Sequence, residues 1–259
     1  MGQGDQSQDD QSSDGSGHGH NNAPQVVAVP HRLFLLGVLA IVALSVYGLL
    51  NIEHIPDPMP VHWNGRGEAD NFVTRTPATV LGMVAVIPLV LLVIMWGCAA
   101  LIRAQAMTPP TGWTAQERAT AEQRGARTKA TAHYSLRPFA GWSVALAVWL
   151  SLMLLCDIMG WLPGRWSLVL TIVGVLGITL GLLVSMMFAA EKARLEFPPS
   201  EGEPDIKWGV YYNNPDDKRT FIETAPGNYT VNLGHTAGRL VTAAMLAPLV
   251  LALLIPLLV

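Results

Sequence analysis

The sequence predicts an all-α integral membrane protein with five transmembrane helices. Its amino terminus is expected in the cytoplasm and its carboxyl terminus outside, with a small β-rich cytoplasmic loop between helices four and five. Three observations carry this reading. The 259-residue chain is 51% hydrophobic and only 14% charged, outside the balance of a soluble domain. Five apolar stretches, 33–50, 80–102, 139–161, 167–189 and 240–259, approach or exceed the roughly 18 to 20 residues that a helix needs to cross about 30 Å of hydrocarbon. Basic residues are also unevenly placed: of the 16 Lys and Arg, only Arg66, Arg75 and Arg165 fall in the first and third loops. The positive-inside rule therefore puts those two loops outside. Helices suit the apolar runs because every backbone N–H and C=O is then paired internally, and the runs are too long and too continuous for the alternating strands of a barrel.

The elements follow in order. Residues 1–30 are rich in Gly, Gln, Ser, Asp and Asn, too polar to offset the entropy of ordering, and read as a disordered cytoplasmic tail. Its Gly17-His18-Gly19-His20 is a solvated pair of histidines rather than a metal site. Residues 31–104 form the first helix pair, joined by an outer loop at 51–79. Residues 105–138 form a basic cytoplasmic loop, broken at Pro109-Pro110, where Thr114-Ala115-Gln116-Glu117 gives a capping box for one short helix. Its charge suits anionic inner-leaflet lipid or a cytoplasmic regulator.

Residues 139–190 form a helix hairpin, with Trp161 and Trp166 bracketing its outer turn at the headgroup level and Asp157 placed to pair with Arg165 across it. Gly174, Gly177 and Gly181 give a small-residue face for close helix contact, inside the bundle or between protomers of a homo-oligomer. Residues 191–236 form a β-rich module: alternating aromatic and β-branched residues between Asn-Pro-Asp and Pro-Gly-Asn turns read as two or three strands. Asp216 and Asp217 satisfy their own turn and lack the spacing of a calcium loop. Residues 237–259 form the last transmembrane helix. Cys98 and Cys156 lie at opposite ends of their helices and read as small hydrophobes.

Dense polar chemistry is concentrated in the outer loop. Pro56, Pro58 and Pro60 stiffen its entry, and Gly65 and Gly67 permit a turn with positive φ, so an ordered hairpin-like loop is expected. On that frame Asp57, Pro60, His62, Trp63, Asn64, Gly67, Glu68 and Asp70 are the candidate ligand-binding residues. The same residues also fit a plainer role, in which Asp57 and Asn64 cap turns and Trp63 anchors the loop at the bilayer surface. His54, His62 and the carboxylates include metal-ligand types, but their spacing matches no zinc motif; no metal or cofactor is expected.

The run Pro56-Asp57-Pro58-Met59-Pro60-Val61-His62-Trp63-Asn64 followed by Gly67-Glu68-Ala69-Asp70, directly after one apolar helix and before another, resembles the signature of a bacterial membrane family of unknown function that includes an immunity protein against a sporulation-delaying toxin. Lys207 to Gly234, with Tyr211-Tyr212-Asn213-Asn214-Pro215-Asp216-Asp217 and Tyr229-Thr230-Val231-Asn232-Leu233, resembles a second short uncharacterised module of such proteins. The resemblance implies a multi-pass protein of the bacterial cell membrane. It further implies a non-enzymatic immunity or sensing role toward an extracytoplasmic peptide or signal. A transporter or permease-like subunit is the alternative, since Pro88, Pro248 and Pro256 interrupt apolar stretches. No ionisable residue lies near the centre of a span, however, where carriers usually need one. A membrane enzyme using His62 with Asp57 or Glu68 ranks last, for lack of a nucleophile at a defensible spacing. Nothing in the pattern calls for nucleic acid.

Overall fold

The computed structural model describes residues 24–109, 111–112, 114–225 and 228–258; the polar stretch 1–23, with its Gly-His repeat, lies outside them. Among the described residues, four helical segments are long and apolar enough to cross a membrane: His31–Leu50, Pro77–Ala106, Ala115–Ile158 and Gly164–Glu196. The first is α1. The second is one helical segment with three parts: α2 (Pro77–Leu81), a π-helical turn (Gly82–Val86) and α3 (Ile87–Ala106). The third and fourth are α4 and α5. At the fifth expected span the chain forms α6 (Thr236–Leu258), whose side chains are described over Thr236–Ala247. Two small antiparallel hairpins complete the fold: β1 (Met59–Trp63) with β2 (Ala69–Val73), and β3 (Phe221–Ala225) with β4 (Asn228–Val231).

Helix α4 is the axis of the bundle and corrects the expected boundaries. The basic segment 105–138 is not a loop with one short helix. The Thr114–Glu117 capping box starts a helix of 44 residues that runs through Pro138 to Ile158. Pro138 forfeits one backbone hydrogen bond, while Leu136, Phe139 and Ala140 beside it are buried in the core. At about 1.5 Å per residue the helix is roughly 66 Å long, about twice the hydrocarbon thickness, so much of it stands clear of the lipid. The tail boundary moves too: Val26, Val27 and Val29 pack against the core formed by Phe34, Ile41, Leu92 and Leu136, and the Gln25 carbonyl lies 2.8 Å from His133 Nδ1. Three valines in a short stretch give 24–29 the apolar surface that the residues before it lack.

Two devices lock α4 to its neighbours. Pro88 has no N–H to offer the Val84 carbonyl a turn earlier, and this is where the π turn lies; the fully buried Ser151 of α4 donates its hydroxyl to that carbonyl at 2.8 Å. On the opposite side, the α5 glycines receive indoles from α4. A Cβ at Gly181 would lie 2.6 Å from the Trp142 ring, and one at Gly174 would overlap the Trp149 ring, whereas nothing lies within 4 Å at Gly177. Trp142 Nε1 also donates to Ser185 Oγ at 2.8 Å. Two of the three small residues are therefore filled from within the chain.

At the turn between α4 and α5 the expected Asp157–Arg165 pair is replaced: Asp157 Oδ1 accepts from the Ser167 hydroxyl, one turn into α5. Serine at that position faces back across the turn, where Arg165 does not. Trp161, half exposed, meets Tyr47 of α1 edge-on at 5.7 Å.

At the far end of α4 and α5 the chain 197–205 folds back onto α4. Glu203, with only 8% of its side chain exposed, pairs with Arg124 at 2.6 Å and Arg127 at 3.3 Å, and Ser200 Oγ donates to Gln123 at 2.7 Å. Burial by itself raises the Glu203 carboxyl, but the Ser200 N–H and the two guanidinium groups more than offset it and hold it below the ordinary glutamate value. Beyond lies the segment with β3 and β4, whose node is Asn232. Fully buried, it accepts from the N–H groups of Asn214 and Gly234 and donates to the carbonyls of Asn214 and Asp217. Arg219 clamps the Asp217 carboxylate at 2.7 Å and holds its pKa down to about 2.

Two predictions follow from this packing. Gly181→Ala and Gly174→Ala force indoles to move and should each cost about 1–3 kcal/mol, while Gly177→Ala should be neutral or slightly stabilising; unfolding in detergent micelles separates them. For Glu203, a carboxyl depressed on folding stabilises the fold at pH values above its unfolded value of 4.5, and that contribution fades as pH falls through the lower folded value. The gap in thermal midpoint between the native chain and Glu203→Gln should therefore be full near neutrality and close on acidification below about pH 4.5.

Candidate functional site

Hairpin β1–β2 is held by three supports that the surrounding sequence supplies. Ile55 and Met59 are buried with Val80, Val84, Leu155 and Ile158, so the entry to the hairpin is part of the helical core. Trp63 packs against the same cluster, half-buried, so its indole also ties the hairpin to the helices. On a strand that alternates faces, it points with Met59 toward the helices.

The second support is Arg75. Its Nη1 donates to the carbonyls of Ile52, Glu53 and Ile55 at 3.1, 3.1 and 2.7 Å, and its Nη2 meets Glu53 Oε2 at 3.1 Å. Its backbone N–H donates to Asp57 Oδ1 at 3.1 Å. One guanidinium thus gathers the carbonyls of the 3-10 turn Ile52–His54 and closes the base of the loop. Sequence reasoning placed Arg75 only as a charge in a loop. Its position just before the Thr76 cap and Pro77 of the next helix was the available signal.

The third support is the tip. Asn64 Oδ1 accepts from the N–H groups of Arg66 and Glu68 at 2.9 and 3.0 Å, and its Nδ2 donates to Glu68 Oε2 at 3.0 Å. Gly67 adopts φ 76°, and a Cβ there would lie 2.6 Å from the backbone N of Arg165. The tip therefore rests on the first residues of α5, with Gly164 facing the Gly67 carbonyl. Glycine is needed here both for the left-handed backbone and for the close approach.

What this frame presents is the pair His62–Asp70. The two side chains lie on facing strands, Nδ1 to Oδ1 at 2.5 Å, with 65% and 44% of each side chain exposed. With Nδ1 engaged by the carboxylate, the ring is oriented and Nε2 is left as the second hydrogen-bonding edge. Asp57, Glu68 and Phe72 are also exposed, Phe72 at 49%. Pro60 pairs with Phe72 across the hairpin without donating. The eight candidates thus divide: His62 and Asp70 face outward, Pro60, Trp63, Asn64 and Gly67 build the frame, and the exposed Asp57 and Glu68 do both, bonding Arg75 and Asn64. Among the described residues, no group of three His, Cys, Asp or Glu side chains is placed to hold a metal ion.

Fold and site define a class: a bundle with four helices suited to a membrane, carrying a rigid polar hairpin at the end where α5 begins. Residues 39–87 match a family model described as Domain of unknown function (DUF1648). The match runs from α1 through the hairpin and the π turn to the first residue of α3 and includes every candidate site residue. No curated protein and no solved structure matches the chain.

The supports can be separated from the surface. Gly67→Ala, which drives a Cβ into the Arg165 backbone, should lower the unfolding midpoint, as should Arg75→Gln, each by an amount equivalent to about 1–3 kcal/mol. Gly65→Ala, with nothing within 4 Å of its Cβ, should not; the three variants compared in one melting series check this.

Proposed function

We propose that the chain is a non-enzymatic recognition protein of the bacterial cell membrane, of the immunity or sensing kind, whose 59–73 hairpin meets an extracytoplasmic peptide or signal. The observation that carries the reading is the exposed, oriented His62–Asp70 pair on a hairpin whose own turn, base and tip are already satisfied internally. An exposed ion pair adds little to stability, about 0–1 kcal/mol, so fold maintenance is a poor account of it. Glu68, Asp57 and Asp70 give the exposed surface an acidic bias, favouring a cationic or amide-rich partner.

The basic residues support placing the hairpin outside: it has few Lys and Arg, while the far ends of α4 and α5 carry many. The match to a family of unknown function over the same residues agrees with a dedicated module there. A cytoplasmic partner for the 115–137 extension of α4 fits a sensing version of this role. The permease alternative needs an ionisable site at mid-depth; among the described residues the polar groups there include neutral ones, Ser143 bonded to Phe139, Ser151 to Val84 and Trp142 to Ser185.

The test is a host deleted for the gene and challenged with a panel of secreted antimicrobial peptides. It is complemented with the native chain, His62→Ala or Asp70→Asn at matched membrane abundance. Protection by the native chain that falls at least tenfold in either variant, with the melting midpoint unchanged, is the expected result. Equal sensitivity with and without the native chain would sink the immunity reading.

A further inference from the structure

Two cavities of about 590 and 310 Å³ lie at the opposite pole, between the ends of α4 and α5 and the segment 206–210, and share Thr128, Thr131, Ala190 and Gly209 as common wall. Together they form a groove with two chemical ends. The first is lined by Ile102, Leu183, Met186, Met187 and Val210. The second is lined by Arg124, Arg127 and Arg194 with Glu203 and Asp205; Arg194 is taken up by Glu191 and Asp205, which leaves Arg124 and Arg127 sharing the one carboxylate of Glu203. The apolar end lies in the last turns of the lipid-suited part of α5. Met187 to Arg194 along α5, and Ser135 to Arg124 along α4, are about 10 and 16 Å at helical rise. That change from apolar lining to the Arg124–Arg127 pair matches the passage from acyl chain to headgroup.

The lid is unusual. Trp208 adopts φ 57°, a left-handed conformation rare for a bulky residue, and its N–H is held by Glu191 at 2.8 Å. Its indole meets Phe188 of α5 edge-on at 5.1 Å, and Gly209 beside it, at φ 70°, sits against Ala190 so closely that a Cβ would come within 2.7 Å. Backbone strain of this kind persists only where surrounding contacts impose it, and it clusters at ligand clamps. Here it places an aromatic ring at the apolar mouth, the position that indoles favour at a membrane interface.

We infer that this groove binds one anionic phospholipid from the membrane. An acyl chain lies along Leu183 and Met187 under Trp208, and the phosphate is held by Arg124 and Arg127. Arg124 keeps 52% of its side chain exposed while pairing with Glu203, and a guanidinium can bond a carboxylate on one edge and a phosphate on another. Glu203, shared by two arginines, orients them without cancelling both charges. This site is independent of the 59–73 hairpin and of what that hairpin recognises.

Native mass spectrometry of the full chain in mild detergent, titrated with dioleoylphosphatidylglycerol or dioleoylphosphatidylcholine, tests the inference. The expected result is a single saturable phosphatidylglycerol adduct, roughly tenfold tighter than phosphatidylcholine. Leu183→Trp, at a position 55% exposed and so tolerant of a larger ring, should fill the apolar mouth and weaken that adduct about tenfold. Arg124→Gln should erase the preference between the two lipids while leaving an adduct in place. Equal binding of both lipids by the native chain would overturn the inference, as would a phosphatidylglycerol adduct indifferent to Leu183→Trp. Displacement of the adduct by inorganic phosphate alone would overturn it too, pointing to a free-anion site.

Discussion

A 44-residue helix is about twice as long as the hydrocarbon is thick, and most of this molecule is arranged around that fact. Within lipid, α4 must offer its neighbours close packing rather than hydrophobic attraction, because the lipid is as apolar as the helix surface. Small residues and indoles supply it: Trp142 and Trp149, spaced by about two turns, enter the gaps left by Gly181 and Gly174. Beyond lipid, the same helix is Ala-, Arg- and Thr-rich, and the chain after α5 must return to cover it. Glu203, Ser200 and Phe197 do so. One continuous rod thus connects the lipid-suited bundle to both polar poles.

The poles are built by different rules. At the hairpin pole, backbone groups are the problem, since an irregular loop beside the membrane has carbonyls that no helix satisfies. Arg75 collects three of them, and Asn64 closes the tip. At the other pole, charge is the problem: arginines and carboxylates are drawn together under partial burial, where a charge without a partner is costly. Asn232 does for the last module what Arg75 does for the hairpin, with its amide spent entirely on backbone. In both cases a single polar side chain replaces regular secondary structure as the source of order.

Much of this was legible in the sequence, and the misses have physical causes. Apolar runs long enough to cross lipid announce themselves, and so did the glycine and proline punctuation of the hairpin. The boundary at Pro138 misled because polarity was read as loop, whereas a capped Ala-rich helix continues regardless of the solvent around it. Pro138 hid the continuity further, since one lost hydrogen bond is a small penalty inside a long packed helix. Arg75 was invisible as a keystone because its role depends on carbonyls some twenty residues earlier, a contact that no local pattern encodes. The groove was equally hidden, as its walls come from three distant segments. The Gly174 to Gly181 stripe was read correctly as a contact face, but only coordinates could assign its partners to this chain.

The residues that hold the fold and the residues that face outward are nearly disjoint, and this bears on how the surfaces are to be read. Pro60, Trp63, Asn64 and Gly67 have their bonding or packing consumed inside the hairpin, so their chemical character is explained once the hairpin exists. His62, Asp70 and Glu68 are not explained that way: the Asn64 turn would close on its backbone bonds without the Glu68 carboxylate, and the hairpin would pair without the imidazole. Trp208 lies at the other pole. Its left-handed backbone sets its N–H on Glu191 and its ring on Phe188, at the edge of the groove between α4 and α5.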